Sequence, residues 1–182
     1  MLSSLDDGVG VITQVLRELG LAENTIVAFL SDSGCGNCRN GPLRRGKGTF
    51  YEGGIRVPFI VSWPGVLPAG GQSDIPVSAL DLAPTFLEAA GGSGAGFDGV
   101  NMLNALRGTS DPHDCLFWGA QARGAARCGD WKLVVGGGST ELYNMRTDPG
   151  EARNVAGANG AVVARLRGAR ADWVRTLARR TW

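Results

Sequence analysis

Leu5, Val9, Ile12, Leu16 and Leu19 step along the first twenty positions by alternating fours and threes. That is the period of one helix face, and Gly20 supplies its stop. The pattern then changes. Ile26 to Leu30 is an unbroken apolar run, partly β-branched, which predicts a buried strand of the parallel type. Val57 to Trp63 predicts a second, entered through Pro58, where a missing N–H matters least. A helix that opens beside Met1 is unusual in an α/β chain, because such a helix normally crosses over from an earlier strand. Residues 64–77, rich in Pro and Gly, read as a connection. Ser78-Ala-Leu-Asp81, with Pro84 close behind, has the form of a capping box and predicts a helix that stops at Gly91-Gly92.

Beyond Gly91–Gly99, a glycine-rich joint, the period shortens. Leu116-Phe117-Trp118, Ala126-Arg127-Cys128, Trp131 to Val135 and Glu141-Leu142-Tyr143 are short apolar segments separated by turns, and they predict a small antiparallel sheet. Val163, Leu166, Trp173, Val174 and Leu177 then line one face of a closing helix packed on that sheet. The expected architecture is α/β. Residues 1–92 form a partial sheet of two or more parallel strands with flanking helices, and residues 100–182 a small α+β subdomain.

Composition narrows the function classes. At 182 residues, 43% hydrophobic, the chain can bury one sizeable core. A formal charge of +1 gives no global field for nucleic acid or an anionic membrane. Arg165, Arg167, Arg170, Arg175, Arg179 and Arg180 crowd the last helix, but with few interleaved aromatics they read as a solvated face. No apolar stretch approaches the roughly 20 residues that span a bilayer. Met1 to Asp7 lacks the basic flank, apolar run and cleavage site of a signal peptide, so the chain as written is expected in the cytoplasm. Cys35 and Cys38 form a Cys-x-x-Cys without a second close pair or a histidine cluster to complete a zinc site; a loop disulfide or inert thiols fit better. His113, the only histidine, sits in a turn-like Asp-Pro-His-Asp.

The chemistry concentrates between Thr25 and Gly65. The first predicted strand delivers Asp32 to its carboxyl end, where ligands of open sheets bind. A carboxylate there is either a ligand for a hard divalent cation or the cap of a turn. Gly46-Lys47-Gly48 holds one of only two lysines in the chain. As a compact point charge it suits an oxyanion, unless it is simply a surface lysine. Arg44, Arg45 and Arg56 stand nearby without a spacing that ranks them, and Glu52-Gly53-Gly54 continues the loop.

Ser31-Asp32-Ser33-Gly34, then Pro42-Leu43-Arg44-Arg45-Gly46-Lys47-Gly48-Thr49-Phe50-Tyr51-Glu52-Gly53-Gly54-Ile55-Arg56-Val57-Pro58 and Trp63-Pro64-Gly65, resembles the second signature region of the sulfatases. These are the arylsulfatase-like members of the alkaline-phosphatase superfamily. The likeness continues through Ala79 to Thr85, Gly129 to Leu133 and Glu141 to Asn154. It covers essentially the whole chain, but only with the family's C-terminal part.

The resemblance implies sulfate-ester hydrolysis with Ca²⁺. It implies that Asp32 is a ligand of that ion and that Lys47 contacts the sulfate. Position 33, a metal-binding asparagine in the usual motif, is Ser33 here, a shorter and weaker ligand. The family's nucleophile is a formylglycine made from cysteine in Cys-x-Pro-x-Arg, and none of Cys35, Cys38, Cys115 and Cys128 stands in that context. The early metal-binding aspartates and catalytic histidines are missing too. The expected protein is therefore the C-terminal portion of a sulfatase, inactive alone, with a sulfate ester as substrate of the complete enzyme. The alternatives are a non-catalytic remnant that binds an anion or associates through an exposed sheet edge, or part of a related phosphoester or phosphonate hydrolase. Relatives are usually exported, which leaves the compartment open.

Overall fold

The computed structural model describes residues 2–37 and 39–177. In chain order the elements are α1 (Leu2–Glu18), β1 (Val27–Leu30), α2 (Glu52–Ile55), β2 (Phe59–Ser62), α3 (Leu82–Ala89), α4 (Leu103–Leu106), β3 (Leu116–Gly119), β4 (Gly124–Cys128), β5 (Trp131–Gly136), β6 (Ser139–Asn144) and α5 (Gly160–Leu177). They divide between two compact units. One comprises residues 1–30 and 59–112, the other residues 31–58 and 113–182.

In the first unit α1 ends as its sequence dictates. Gly20 takes φ +68°, its N–H donates to the Arg17 carbonyl, and Leu21 N–H reaches back to Leu16. The left-handed glycine thereby satisfies carbonyls that the helix end would otherwise leave bare. No residue of α1 is buried, and Leu2, Leu5, Val11, Ile12, Val15 and Leu19 are exposed. β1 pairs with β2 antiparallel, Val27 opposite Ser62 and Leu30 opposite Phe59. This corrects the parallel expectation. A continuous apolar run reports burial but carries no information on direction, and residues 31–58 hold only the four-residue α2, too little for a helical crossover. The Ser78–Asp81 capping box forms: Ser78 N–H donates to Asp81 Oδ2 at 2.8 Å and Leu80 N–H to Ser78 Oγ at 3.3 Å. Asp81 Oδ1 also accepts from Val100 N–H at 3.0 Å, and Thr85 Oγ1 from Met102 N–H at 3.0 Å. The glycine-rich stretch 91–99 thus lies inside this unit, fastened at its end to the start of α3.

The second unit holds the larger core. β3, β4, β5 and β6 form an antiparallel meander in sequence order, and the disulfide Cys115–Cys128 ties the open end of the β3–β4 pair. Because side chains alternate across a strand, β5 sends Leu133 to one face and Val134 to the other. On the first face Ala126, Cys128, Leu133 and Leu142 pack around Leu166 of α5. Phe117 stacks on Trp173 with ring centroids 5.4 Å apart. On the second face Ala125, Val134, Tyr143 and Met145 pack against Phe50, Tyr51 and Trp118. Both faces are covered, one by α5 and the other by the loop preceding α2.

Two expectations for α5 change. Arg170 is buried instead of solvated: its guanidinium donates to the carbonyls of Ala120 and Arg123, capping the β3–β4 turn, and burial pulls its pKa below the ordinary arginine value. Leu177, by contrast, is exposed. Arg179 and Arg180 lie outside the described residues.

Candidate functional site

The sequence-predicted site residues Asp32, Ser33 and Lys47 all fall in the second unit. Two stretches carry them, residues 31–36 and residues 44–54, the second running into α2, and they are laced edge to edge. Gly34 N–H donates to the Gly54 carbonyl at 3.0 Å, Lys47 N–H to Cys35 O at 3.3 Å, and Gly53 N–H to Arg44 O at 2.9 Å. Asn40 braces the outer end. Its Oδ1 accepts from Cys35 N–H at 2.9 Å, while its Nδ2 donates to the carbonyls of Cys35 at 3.0 Å and Arg45 at 2.8 Å. Side chains are excluded where the strands of this web cross. A Cβ on Gly34 would stand 1.7 Å from the Gly53 oxygen, and one on Gly46 2.1 Å from the Cys35 oxygen. Those glycines allow the close approach. Cys35 is disulfide-bonded, and Cys38 lies outside the described residues.

Lys47 Nζ stands 3.3 Å from Asp32 Oδ2, with the Lys47 side chain 60% and the Asp32 side chain 82% exposed. Ser33 Oγ donates to Asp32 Oδ1 at 3.3 Å. The Lys47 hydrogen bond, then its charge, holds the Asp32 carboxyl below the usual aspartate range. A carboxylate, a hydroxyl and an ammonium therefore converge at one solvent-facing point. Asp32 is the right kind of donor for a hard cation, but Ca²⁺ takes about six to eight oxygens. Among the described residues no third His, Cys, Asp or Glu joins it into a metal-binding cluster. These residues alone do not make a Ca²⁺ shell. His113 belongs to the second unit.

Two polar clusters behind the loop were not ranked by the sequence. Glu52, at the start of α2, is buried with Lys132 and Glu151. Lys132 Nζ is 2.7 Å from Glu52 Oε1 and 2.8 Å from Glu151 Oε1, and Glu151 Oε2 accepts from the Glu52 N–H at 2.7 Å. Arg127, opposite Lys132 in the β4–β5 register, reaches to 3.9 Å from Glu52 Oε2. Burial pushes the Glu151 carboxyl above its ordinary value, against the pull of Lys132. Beside it, Arg44 lies over the Tyr51 ring at 4.3 Å and donates to Glu141 at 3.1 Å and to the Glu151 carbonyl at 3.1 Å. Tyr51 donates to Glu141 Oε1 at 2.9 Å, and Tyr143 donates to its other oxygen. Burial opposes the Glu141 charge, but the two phenols and Arg44 outweigh it and hold the carboxyl below its usual range. Burial and the neighbouring Glu141 in turn push the Tyr143 phenol up. One signal in the sequence pointed here: Lys132 alternates with Trp131 and Leu133 in an otherwise apolar strand, where an inward lysine needs buried partners.

Residues 1–93 match the Sulfatase family model. The chain is 33% identical to arylsulfatase A of Homo sapiens, with 91% of this chain and 41% of that protein covered. It is 36% identical to N-acetylgalactosamine-6-sulfatase of Sus scrofa, with 84% of this chain and 32% of that protein covered. The crystal structure of Ps i-CgsB superposes with a TM-score of 0.87 at 32% identity, covering 96% of this chain and 42% of that one. The chain spans less than half the length of each of these proteins.

Proposed function

Because the chain belongs to the sulfatase family and carries part of its alkaline-phosphatase-like α/β fold, we propose that it supplies one half of a sulfate-ester hydrolase site. Lys47 grips the anionic oxygens of the ester. Asp32 and Ser33 offer oxygens to a divalent cation, Ca²⁺, whose remaining ligands come from polypeptide outside this chain. The observation that carries this reading is the 3.3 Å approach of Lys47 Nζ to Asp32 Oδ2 on two glycine-laced loops. Each group now neutralises the other. A doubly charged cation on Asp32 would outcompete the ammonium and turn Lys47 toward an anion.

Two further features support a partial site. No cysteine stands in Cys-x-Pro-x-Arg, so the formylglycine nucleophile is not encoded here and this chain alone does not turn over. The exposed apolar residues of α1 and the open edges of the β1–β2 pair are surface that a covering polypeptide would bury. The same surface gives a second reading, a non-catalytic remnant that associates with itself or a partner. The Cys115–Cys128 disulfide favours an oxidising compartment over the cytoplasm.

The test is an aryl sulfate assay on this chain with Ca²⁺ present, together with the DNA upstream of the Met1 codon. No saturable hydrolysis, and an in-frame extension encoding Cys-x-Pro-x-Arg, would support an enzyme half. Saturable hydrolysis by the 182 residues alone would overturn the reading, and an upstream stop codon would favour the remnant.

A further inference from the structure

We propose that the buried triad Glu52, Lys132 and Glu151 is the positioning device for Lys47, so that the small C-terminal sheet sets where the ammonium stands. This rests on the reading of Lys47 as the sulfate-contacting residue.

All three side chains are buried, Lys132 and Glu151 completely. They come from three separated stretches of the chain: the loop that carries Lys47, strand β5, and the turn after β6. Lys132 shares one sheet face with Val134, Arg127 and Tyr143, since side chains two apart on a strand lie on one side and cross-strand partners lie beside them. That face looks at the loop. Lys132 reaches up to Glu52, and Glu151 takes the Glu52 backbone N–H as well as the Lys132 ammonium. Glu151 holds φ +55°, a backbone conformation that ordinary residues avoid and that its buried bonds maintain.

From Glu52 the constraint passes to the site through backbone alone. Gly53 N–H bonds to Arg44 O and the Gly54 carbonyl accepts from Gly34 N–H, next to Ser33; Lys47 N–H bonds to Cys35 O. No flexible side chain interrupts this path until the Lys47 methylenes themselves. Arg44 adds a second tether between loop and sheet through Glu141 and the Glu151 carbonyl. An ion triad of this kind is poor as a source of stability, because desolvation offsets attraction. Its geometric specificity is what an apolar contact could not supply.

The experiment is amide hydrogen exchange on the full chain, resolved by residue, for the wild type and Lys132→Met at equal fraction folded. The expected result is exchange at Lys47, Gly34 and Gly53 accelerated at least about tenfold more than at the β3 and β4 amides, whose exchange follows global stability, the signature of local opening. Acceleration at the three loop amides no greater than at the β3 and β4 amides would overturn the proposal, since a merely structural triad moves all amides together. If Lys132→Met does not fold, Glu151→Gln carries the same measurement and the same outcomes, because it keeps an acceptor for the Glu52 N–H but removes the ion pair. Exchange rates report loop position whether or not Lys47 meets sulfate. Failure of the sulfatase reading would appear separately, as hydrolysis by the completed enzyme that is indifferent to Lys47.

Discussion

Replacing Lys132 with methionine should be among the most damaging single changes in this protein. The ammonium sits between Glu52 Oε1 at 2.7 Å and Glu151 Oε1 at 2.8 Å, and both carboxylates are essentially inaccessible to water. Without it two buried acids face each other, with Arg127 3.9 Å from Glu52 Oε2 as a neighbouring cation. Breaking a buried pair from one side costs about 3–5 kcal/mol, a large share of the roughly 5–15 kcal/mol that holds a domain folded. The cost should depend on pH. Burial already raises the folded-state pKa of Glu151, and Lys132 opposes that rise. Removing the lysine raises it further above the unfolded value. A raised folded pKa means the native state holds the proton more tightly, so this contribution is fully present below the unfolded pKa of about 4.3 and is lost as pH rises through the folded one. Urea unfolding followed by tryptophan fluorescence at pH 7 and pH 5 measures both effects. The variant should lose about 3–5 kcal/mol at pH 7 and less at pH 5. The triple variant Glu52→Gln, Lys132→Met, Glu151→Gln should recover much of the loss. A cost below about 1 kcal/mol at pH 7, or one that grows toward acid, would refute the reasoning.

Leu166→Ala should cost about 2–5 kcal/mol in the same urea assay, because this fully buried side chain anchors α5 to the sheet. Gly34→Ala should cost about 3 kcal/mol or more, since its Cβ would stand 1.7 Å from the Gly53 oxygen. Gly10→Ala in α1, where a Cβ meets nothing within 4 Å, should instead raise helicity and stability by about 0.5–1 kcal/mol, read by circular dichroism. The double variant Cys115→Ala, Cys128→Ala opens a cross-link spanning 13 positions and should lower stability by about 3 kcal/mol.

Local order was legible where local chemistry decides it. Helix α1 and its glycine stop, the capping box at Ser78 and the four-strand meander all follow from spacing and cap residues. The approach of Asp32 to Lys47 was legible only as a carboxylate at a strand end and a glycine-flanked lysine, fifteen positions apart. Strand direction was not: the apolar run Ile26 to Leu30 fits either orientation, and pairing was decided by a return path that composition does not specify. Arg170 read as solvated because a helix pattern cannot show that the carbonyls of Ala120 and Arg123 end beneath it. Lys132 was visible as a lysine in an apolar strand, yet its partners lie 80 and 19 positions away. Long-range charge pairing has no period to detect.

Sulfate-ester hydrolysis should be measured on this chain joined to an N-terminal sulfatase segment carrying Cys-x-Pro-x-Arg, with Lys47 intact and with Lys47→Ala. If Lys47 grips the ester, the joined protein turns over and the variant loses about 10²–10³ in kcat, as removal of one oxyanion donor does. Equal turnover by the two proteins would contradict the role given to Lys47 and the site built around it.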